Sequence, residues 1–442
     1  MKSQLALQQQ ESDGPLLNLE GKFLYANNDL QKCQHLQSPP TRLIQDAWFE
    51  VEDETGKITQ VGKGTPNKIA DQIVDVHHQF IMPGIMNAHT HITSVPREFA
   101  DRVDERHGTT PEVATMYAIH NMRDLINNGV TYIRNVGAQF DVDIAVEQMR
   151  KNGFIEGPRI KTSGQAISMT GGHGSDGGYE VDGVDEMRKT VRTAMKNGAK
   201  NIKMMVTGGV LKNGETPDDI QLTFDEVRAG VIEAHHKGYT VAAHAQGNTG
   251  IKEAVEAGVD TIEHGFDIDD ETIKMMKQHG TAVVPTLNAM YGIYEFGEGT
   301  VPDWARQKVI VNIEKHFKSI EKAAKAGIPI AMGTDAGTPY NGFTTESAYE
   351  LQLEVEKAHM TPAQAIESAT IICAEVMQVG AEYGSIEAGK FADFIVMAEN
   401  PIDDISVIQR DKDVYQHGKR VHAANVQTIE ARQAEPIAEA GR

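Results

Sequence analysis

The chain has 442 residues, with 42 Lys and Arg against 63 Asp and Glu, which gives a formal net charge of −21. A field of this sign repels phosphate backbones and anionic bilayers, so it argues against a nucleic acid or a membrane surface as the main partner. The two cysteines, Cys33 and Cys373, are too few for a disulfide scaffold and suit a reducing compartment. Because no signal-like segment opens the chain and no run of about 18 apolar residues follows, a cytoplasmic location is expected.

Residues 1–80 carry short β-rich segments rather than long helical periods. Their β-branched and aromatic residues are broken by Gly, Asp and Asn, as in KFLYANN and QIVDVHHQFIMPG. The segment DETGK is typical of a hairpin turn, because Phe49 and Val51 alternate before it and Ile58 and Val61 follow it. This part of the chain is therefore predicted to be a small all-β unit.

From residue 81 the pattern changes to short apolar runs that alternate with helical stretches. Several helical stretches end in a glycine directly before the next run, as at Gly238 and Gly258. The eight strand candidates are 81–92, 131–136, 159–163, 201–206, 240–245, 261–263, 282–287 and 330–333. Eight β–α units in series predict a (β/α)8 TIM barrel, an α/β fold. The alternative, an open doubly wound sheet, needs a topological switch point that nothing in the sequence marks.

After the eighth unit, helical stretches lead to GSIEAGKFADFIVMAENP, where the β pattern returns. We therefore expect three parts: residues 1–80 as the first part of a small β-sandwich, 81–384 as the barrel, and 385–442 as the second part of the sandwich. The last part would end in a polar tail from Gln427. The return strand in KFADFIVM is the reason for pairing the two chain ends in one sandwich.

The sharpest chemical signal is the segment NAHTHITS, which contains His89 and His91 in an H-x-H pair. On a strand, side chains at i and i+2 point to the same side, so both imidazoles can reach one metal ion. The pair alone is weak, since two histidines on a strand are commonly ordinary. However, His244 ends the fifth predicted strand, His264 the sixth and Asp335 the eighth. TIM barrels place their active sites at these carboxyl ends, which favours a shared metal site.

Lys203 lies in the predicted fourth strand. In the more ordinary interpretation its aliphatic stem packs in the strand and its ammonium reaches water. The apolar neighbours at 202 and 204–206 indicate a buried strand, however, where an ammonium is costly and its pKa falls. A neutral amine can add carbon dioxide and become a carbamate, an anion that can bridge two metal ions.

Eight segments follow one another in a characteristic order: IMPGIMNAHTH, GVTYIRNVGA, SMTGGHG, IKMMVTGGV, VAAHAQG, VDTIEHG, MGTDAGTP and GSIEAGKFADFIV. In this order they resemble the amidohydrolase superfamily of metal-dependent hydrolases. The intervals also fit, with 41 residues from Lys203 to His244 and 20 from His244 to His264. Within the superfamily the chain is most similar to the imidazolonepropionase-related branch that includes Xaa-Pro and Xaa-Arg dipeptidases and ochratoxin-type amidases.

The resemblance implies a binuclear metal centre, usually of zinc. The implied ligands are His89, His91 and Asp335 for the first ion, His244 and His264 for the second, and carbamylated Lys203 as a bridge shared with a hydroxide. Imidazole and carboxylate ligands suit zinc, and two neighbouring ions lower the pKa of a shared water. Asp335 would take the proton of the hydroxide and pass it to the leaving amine.

Other residues concern the substrate. The resemblance implies that His173, in the Gly-rich segment TGGHGSDGG, contacts the substrate carbonyl, although a loop histidine without a role is an equal alternative. Tyr291 and Tyr340 follow the last two strands and are weaker candidates, for which loop packing is the more ordinary explanation. Two residues depart from the family pattern: Gln246 stands where several relatives carry Tyr or His, and Asn135 where many carry Asp. Both departures leave the ligands intact and put the substrate in doubt.

The leading prediction is hydrolysis of an amide bond in a dipeptide or an N-acyl amino acid. One alternative is a mononuclear cyclic-amide hydrolase or deaminase of the imidazolonepropionase type, which generally lacks the bridging lysine. Another is a non-catalytic binding protein on the same barrel, although such relatives usually lose ligands and all six stand here. The resemblance also implies a homo-oligomer.

Overall fold

The computed structural model describes residues 47–64, 76, 79–95 and 109–421, together with the backbone of four strands before residue 75. Cys33 and the tail predicted from Gln427 lie outside the described residues. In the first part of the chain the strands are β1 (Gln4–Leu7), β2 (Lys22–Tyr25), β3 (Arg42–Gln45), β4 (Ala47–Glu52), β5 (Lys57–Lys63), β6 (Gln72–Val74), β7 (Phe80–Pro83) and β8 (Ile85–Thr90).

The second part of the chain alternates strands with helices. Its strands are β9 (Val130–Asn135), β10 (Arg159–Lys161), β11 (Ile167–Ser168), β12 (Tyr179–Glu180), β13 (Asn201–Met205), β14 (Thr240–Ala245), β15 (Thr261–His264), β16 (Ala282–Val284), β17 (Phe394–Met397), β18 (Asp413–Gln416) and β19 (Lys419–Val421). Its helices are α1 (Pro111–Asn127), α2 (Val142–Lys151), α3 (Val184–Asn197), α4 (Phe224–His235), α5 (Asn248–Ala257), α6 (Asp270–His279), α7 (Leu287–Phe296), α8 (Asp303–Lys325), α9 (Glu346–Glu356), α10 (Pro362–Glu367) and α11 (Cys373–Val376). Among the residues that the structure describes, no helix is both long and apolar enough to cross a bilayer.

Strands from both ends of the chain build a small β-sandwich. One sheet has the order β19-β18-β17-β7-β2-β3 and the other the order β5-β4-β1-β6. Phe49 of β4 and Phe394 of β17 meet between the sheets, with ring centroids 5.0 Å apart in an edge-to-face arrangement. Both rings are buried, and they belong to one apolar cluster that also contains Val51, Ile58 and Val396.

The strand predicted over 81–92 is in fact two strands, which corrects the sequence analysis. β7 pairs with β17 and β2 in the terminal sheet, whereas β8 pairs with β9 in the barrel. Gly84 lies between the two, and a Cβ atom there would come within 2.4 Å of the Thr131 side chain. Glycine therefore lets the backbone pass close to β9 while the chain changes sheets.

The barrel follows the predicted order of eight parallel segments. β8, β9 and β10 form one sheet, and β13, β14, β15 and β16 run side by side in another. The amides of Lys200 and Asn201 donate to the Thr162 carbonyl and join the two sheets on one side. On the other side the predicted eighth strand, 330–333, is not a regular strand and forms an isolated bridge at Ile330. It still closes the barrel, because Ala331 donates to Val283 and Ala88 donates to Met332.

Local sequence explains how the surrounding helices begin and end. Thr223 and Glu226 form a capping box at the start of α4, with both reciprocal hydrogen bonds present. Gly258 and Gly280 end α5 and α6 in the left-handed conformation, as their sequence positions predict. These helices pack closely on the strands, since a Cβ atom at Gly230 of α4 would lie 2.1 Å from Met204 of β13. The helices therefore pack tightly against the outer face of the barrel strands.

A buried ion pair joins the barrel to the terminal sheets and supports a stability prediction. Arg159 of β10 pairs with Asp393, which precedes β17, and its guanidinium lies 4.7 Å from the Tyr383 ring centroid. Because Arg159→Met would leave the buried Asp393 carboxylate with the His417 amide but without a cationic partner, we expect it to lower the free energy of unfolding by about 3–5 kcal/mol. Denaturant unfolding measures this difference.

The matched control is Arg410→Met, because the ion pairs of Arg410 with Glu399 and Asp404 are exposed. This control should change the free energy of unfolding by at most about 1 kcal/mol. Equal changes in the free energy of unfolding for the two substitutions would contradict the assignment of Arg159 and Asp393 as a buried ion pair that stabilises the fold. Adding Asp393→Leu to Arg159→Met should recover part of the loss, since the uncompensated charge is removed.

Candidate metal centre

A cavity of about 240 Å³ opens at the carboxyl ends of the barrel strands. The predicted site residues that line it are His89, His91, His173, Lys203, His244, Gln246, His264 and Asp335. The remaining wall is largely apolar and includes Phe266 and Met290. The fold thus brings all six predicted metal ligands to one place.

One side of the cavity is formed by the H-x-H pair and the aspartate. Asp335 Oδ1 lies 3.3 Å from His89 Nε2 and 3.1 Å from His91 Nε2. His91 uses its other nitrogen, Nδ1, to donate to the Gly137 carbonyl at 3.1 Å, which leaves Nε2 to face the cavity. Burial would raise the pKa of Asp335, but hydrogen bonds and charge from His89 and His91 outweigh it and hold that pKa well below its usual range.

The other side of the cavity is formed by His244 and His264, whose ring centroids are 4.6 Å apart. His244 Nε2 lies 3.2 Å from the Gly208 carbonyl, so Nδ1 is the nitrogen available for a metal ion. His264 Nδ1 lies 2.7 Å from Thr286 Oγ1, so its available nitrogen is Nε2. Burial lowers the pKa of both imidazoles well below 6.5, which keeps them neutral, as metal ligands must be.

Two of the predicted ligands have backbones that break the strand pattern. His264 has φ 73° and Asp335 has φ 59°, both in the left-handed region. Neighbouring residues on a strand normally point to opposite faces, but this twist lets Glu263 and His264 both reach the barrel interior. Left-handed backbones at non-glycine residues cost on the order of 1–3 kcal/mol each and cluster at functional sites.

Lys203 is completely buried in the cavity wall, and its Nζ has no hydrogen-bond partner among the described residues. Burial lowers its pKa to about 8, although the nearby carboxylates of Glu263 and Asp335 raise it in part. An unpartnered buried polar atom is costly, so the Lys203 Nζ points to a group that binds there. His89, His264 and Asp335 offer ligand atoms within 4.8 Å of one another, which fits a divalent metal ion.

Glu263 and Arg134 support the site but were missed by the sequence analysis. Glu263 Oε2 accepts a hydrogen bond of 2.6 Å from His89 Nδ1, and Arg134 Nη2 donates to Oε1 at 2.7 Å. Burial would raise the pKa of Glu263, but Arg134 and His89 lower it to about 2. The carboxylate therefore stays ionised, fixes the proton of His89 on Nδ1 and leaves Nε2 for the metal ion.

This contact supports a prediction for Glu263→Gln. The substitution keeps the shape of the side chain but removes the charge that orients His89, so we expect zinc affinity to fall about 10–100-fold. Competition for zinc with a chelator measures the change. The control is Glu233→Gln, because the Glu233 carboxylate pairs with Arg192 on the outer helices. This substitution should leave zinc affinity unchanged. Unchanged affinity in Glu263→Gln would show that the carboxylate does not act through His89.

His173 reaches the cavity from the Gly-rich loop after β11. Its ring stacks on His244 with a centroid distance of 4.4 Å, and its Nδ1 lies 2.5 Å from Glu215 Oε1. Glu215 also accepts from Gly209 N and Gln221 Nε2, both at 2.8 Å. The sequence analysis gave no sign of Glu215, because it lies in a loop with no recognisable motif. His173 therefore has a fixed orientation with Nε2 turned away from Glu215.

The remaining candidates differ in their relation to the cavity. Gln246 lines it, and its Oε1 has no hydrogen-bond partner within the described residues. Neither Tyr291 nor Tyr340 is among the described residues that line it: Tyr291 packs against Tyr349, and the Tyr340 hydroxyl contacts Thr300. Substrate contacts by the two tyrosines stay a prediction. Asn135 lies behind the site, where its side chain accepts from the Ile92 amide at 3.0 Å.

A barrel with imidazole, carboxylate and lysine side chains converging at its carboxyl ends defines a metal-dependent hydrolase architecture. The sequence matches the Amidohydrolase family over residues 80–419, and the chain belongs to this family. Ochratoxinase from Aspergillus niger is 33% identical over 370 residues, covering 76% of this chain and 73% of that protein. Imidazolonepropionase from Christiangramia forsetii is 23% identical over 400 residues, covering 81% of this chain and 86% of that protein.

Solved structures agree with this assignment. A Xaa-Pro dipeptidase with methionine bound in its active site superposes with a TM-score of 0.80 at 29% identity, covering 95% of this chain and 100% of that chain. The A. niger ochratoxinase structure gives a TM-score of 0.79 at 26% identity and covers 95% of both chains. The predicted superfamily, branch and TIM-barrel fold are therefore confirmed, and the chain is a hydrolase that acts on C–N bonds.

Proposed function

We propose that the chain hydrolyses the amide bond of a dipeptide or an N-acyl amino acid at a binuclear centre. The observation that carries the proposal is the buried, unpartnered Nζ of Lys203, which lines the same cavity as the four imidazoles proposed as ligands. As a carbamate, this amine would become the anionic bridge that two cations require. The other buried lysine of the barrel, Lys161, has two hydrogen-bond acceptors instead.

The ligand assignment follows the two sides of the cavity. The first ion, most suitably zinc, would be held by His89, His91 and Asp335, and the second by His244 and His264, with carbamylated Lys203 shared. When bound, two such ions supply a hydroxide at neutral pH and polarise the scissile carbonyl. This set uses the available nitrogens of His89, His91, His244 and His264 and leaves Nε2 of His173 for the substrate.

Side chains of the cavity would transfer protons and orient the substrate. Asp335 is ionised and lies against both histidines of the first side, so it can take a proton from the nucleophile and deliver it to the leaving amine. His173, fixed by Glu215, would donate from Nε2 to the substrate carbonyl and stabilise the negative charge that develops there. Gln246 Oε1 has no hydrogen-bond partner among the described residues, so it would accept a hydrogen bond from a substrate N–H.

The relatives support an amide substrate. One structural neighbour is a Xaa-Pro dipeptidase with methionine bound in its active site, and another is an ochratoxinase. Both share the fold over nearly the whole chain. Gln246, which departs from the family pattern, lines the cavity where it would contact the substrate.

A pooled panel of dipeptides and N-acyl amino acids tests the proposal. Protein supplied with zinc and bicarbonate is incubated with the panel, and products are followed by mass spectrometry. Release of free C-terminal amino acids is expected, with two metal ions per chain. An Asp335→Asn preparation controls for contaminating peptidases. Turnover of cyclic amides, or deamination, with one metal ion per chain would favour the mononuclear alternative. Metal binding without turnover of any substrate would favour the non-catalytic binding protein.

The homo-oligomeric state and the cytoplasmic location stay predictions. Light scattering after size-exclusion chromatography measures the first directly.

A further inference from the structure

We infer that Asn341 is a positioning residue that holds the backbones of both sides of the site through one buried hydrogen-bond network. The inference rests on the proposed function, because it takes Asp335 and His264 as metal ligands. These are the two ligands with left-handed backbones, and each is reached by one arm of the network.

The first arm runs from Asn341 to Asp335. Asn341 Nδ2 donates to the carbonyls of Thr334 at 2.6 Å and of Asp335 at 2.9 Å. The backbone amide of Gly337 donates to the Asn341 carbonyl at 2.8 Å, which folds the chain into a tight loop around the side chain. The backbone amide of Asp335 donates to the His89 carbonyl at 2.9 Å, which ties one side of the residue to β8. The buried amide group of Asn341 fixes the other side, because it binds the Asp335 carbonyl.

The second arm starts at the oxygen of the same amide group. Asn341 Oδ1 accepts from Asn288 Nδ2 at 2.9 Å. Because Nδ2 faces two carbonyl groups, the amide of Asn341 can have only this orientation. Asn288 belongs to the first turn of α7, where Glu350 of α9 accepts from the amides of Leu287 at 2.6 Å and Asn288 at 2.7 Å. The carboxyl oxygens at this position accept from helix amides that would otherwise be buried without partners.

Thr286 completes the second arm. It directly precedes α7 and has φ 52°, and its Oγ1 lies 2.7 Å from His264 Nδ1. The start of α7 therefore fixes which nitrogen of His264 faces the cavity. Asn341, Asn288, Glu350 and Thr286 are all buried, so water cannot replace a lost contact at low cost. One network thus sets Asp335 on the first side of the site and His264 on the second.

The test compares Asn341→Asp with Asn128→Asp. Both residues are buried asparagines that donate from Nδ2 to a backbone carbonyl, but Asn128 lies at the opposite end of the barrel, where it donates to Asp124 at 2.8 Å. In Asn341→Asp a carboxylate oxygen would face the two carbonyls. Zinc affinity should fall about 10–100-fold, and the visible spectrum of the cobalt-loaded protein should change. The kcat should fall more than KM rises. Asn128→Asp should lower only thermal stability.

Two further variants keep the test decisive. Asn288→Leu breaks the second arm if Asn341→Asp does not fold, and Thr286→Val removes the partner of His264 Nδ1 while keeping the side-chain shape. Each should weaken zinc binding. Unchanged zinc affinity and cobalt spectrum in all three network variants would overturn the inference. If His264→Asn and Asp335→Asn also keep full metal content and activity, the proposed function itself is wrong. If these two variants lose metal while the network variants do not, only the positioning role of Asn341 is wrong.

Discussion

Lys203→Met is expected to lower amide hydrolysis by about a thousandfold, the equivalent of several kcal/mol of transition-state stabilisation that a metal centre supplies. Methionine keeps the length and apolar packing of the buried stem but cannot form a carbamate. Without the bridge, the two groups of imidazoles have no common anion, so metal content should fall below two ions per chain. Metal analysis and turnover of the best substrate measure both effects.

The control for this substitution is Lys161→Met. Lys161 is also a largely buried lysine with a pKa lowered to about 8 by burial, but its Nζ donates to the Met377 carbonyl and to Gln378 away from the cavity. This variant should lose stability and keep its metal ions. Wild-type protein stripped of carbon dioxide should regain activity with bicarbonate, whereas Lys203→Met should not respond. Wild-type turnover in Lys203→Met would refute the binuclear assignment.

The convergence of the proposed ligands on one cavity could be predicted from the sequence because strand ends are visible in it. Each of His244, His264 and Asp335 follows a short apolar run, and a parallel barrel brings the carboxyl ends of such runs to one rim. The pairing of the chain ends was predictable for a similar reason, since the β pattern returns near residue 394. Local pattern and topology together were sufficient for these features.

Side-chain contacts that depend on broken local rules were not predictable. Glu263 was overlooked because a residue next to a ligand on a strand should point the opposite way, and only the left-handed φ of His264 brings both inside. The spacing of apolar residues also does not reveal that the run 81–92 is divided at Gly84 into two strands of different sheets. Asn341 and Glu215 lie in loops, whose path is set by tertiary hydrogen bonds rather than by local preference.

Asp335→Asn should lower kcat for an unactivated dipeptide by about 10²–10⁴-fold, the usual contribution of a positioned acid or base. Asparagine keeps an oxygen that can contact a metal ion but cannot take up the proton. If Asp335 also protonates the leaving amine, the loss should be smaller for a nitroanilide, whose leaving nitrogen depends less on general-acid assistance. Steady-state kinetics on a matched pair of amide and nitroanilide substrates measures this difference.

Metal content separates the two roles of Asp335. With both ions restored by excess zinc, a deficit that persists on the dipeptide and shrinks on the nitroanilide identifies proton transfer to the leaving group. An equal deficit on both substrates would instead assign Asp335 to metal binding and nucleophile formation alone. Asp267→Asn, which removes an ion pair with Lys315 outside the cavity, should change neither rate. The leaving-group dependence therefore tests a chemical step that metal binding by itself cannot reproduce.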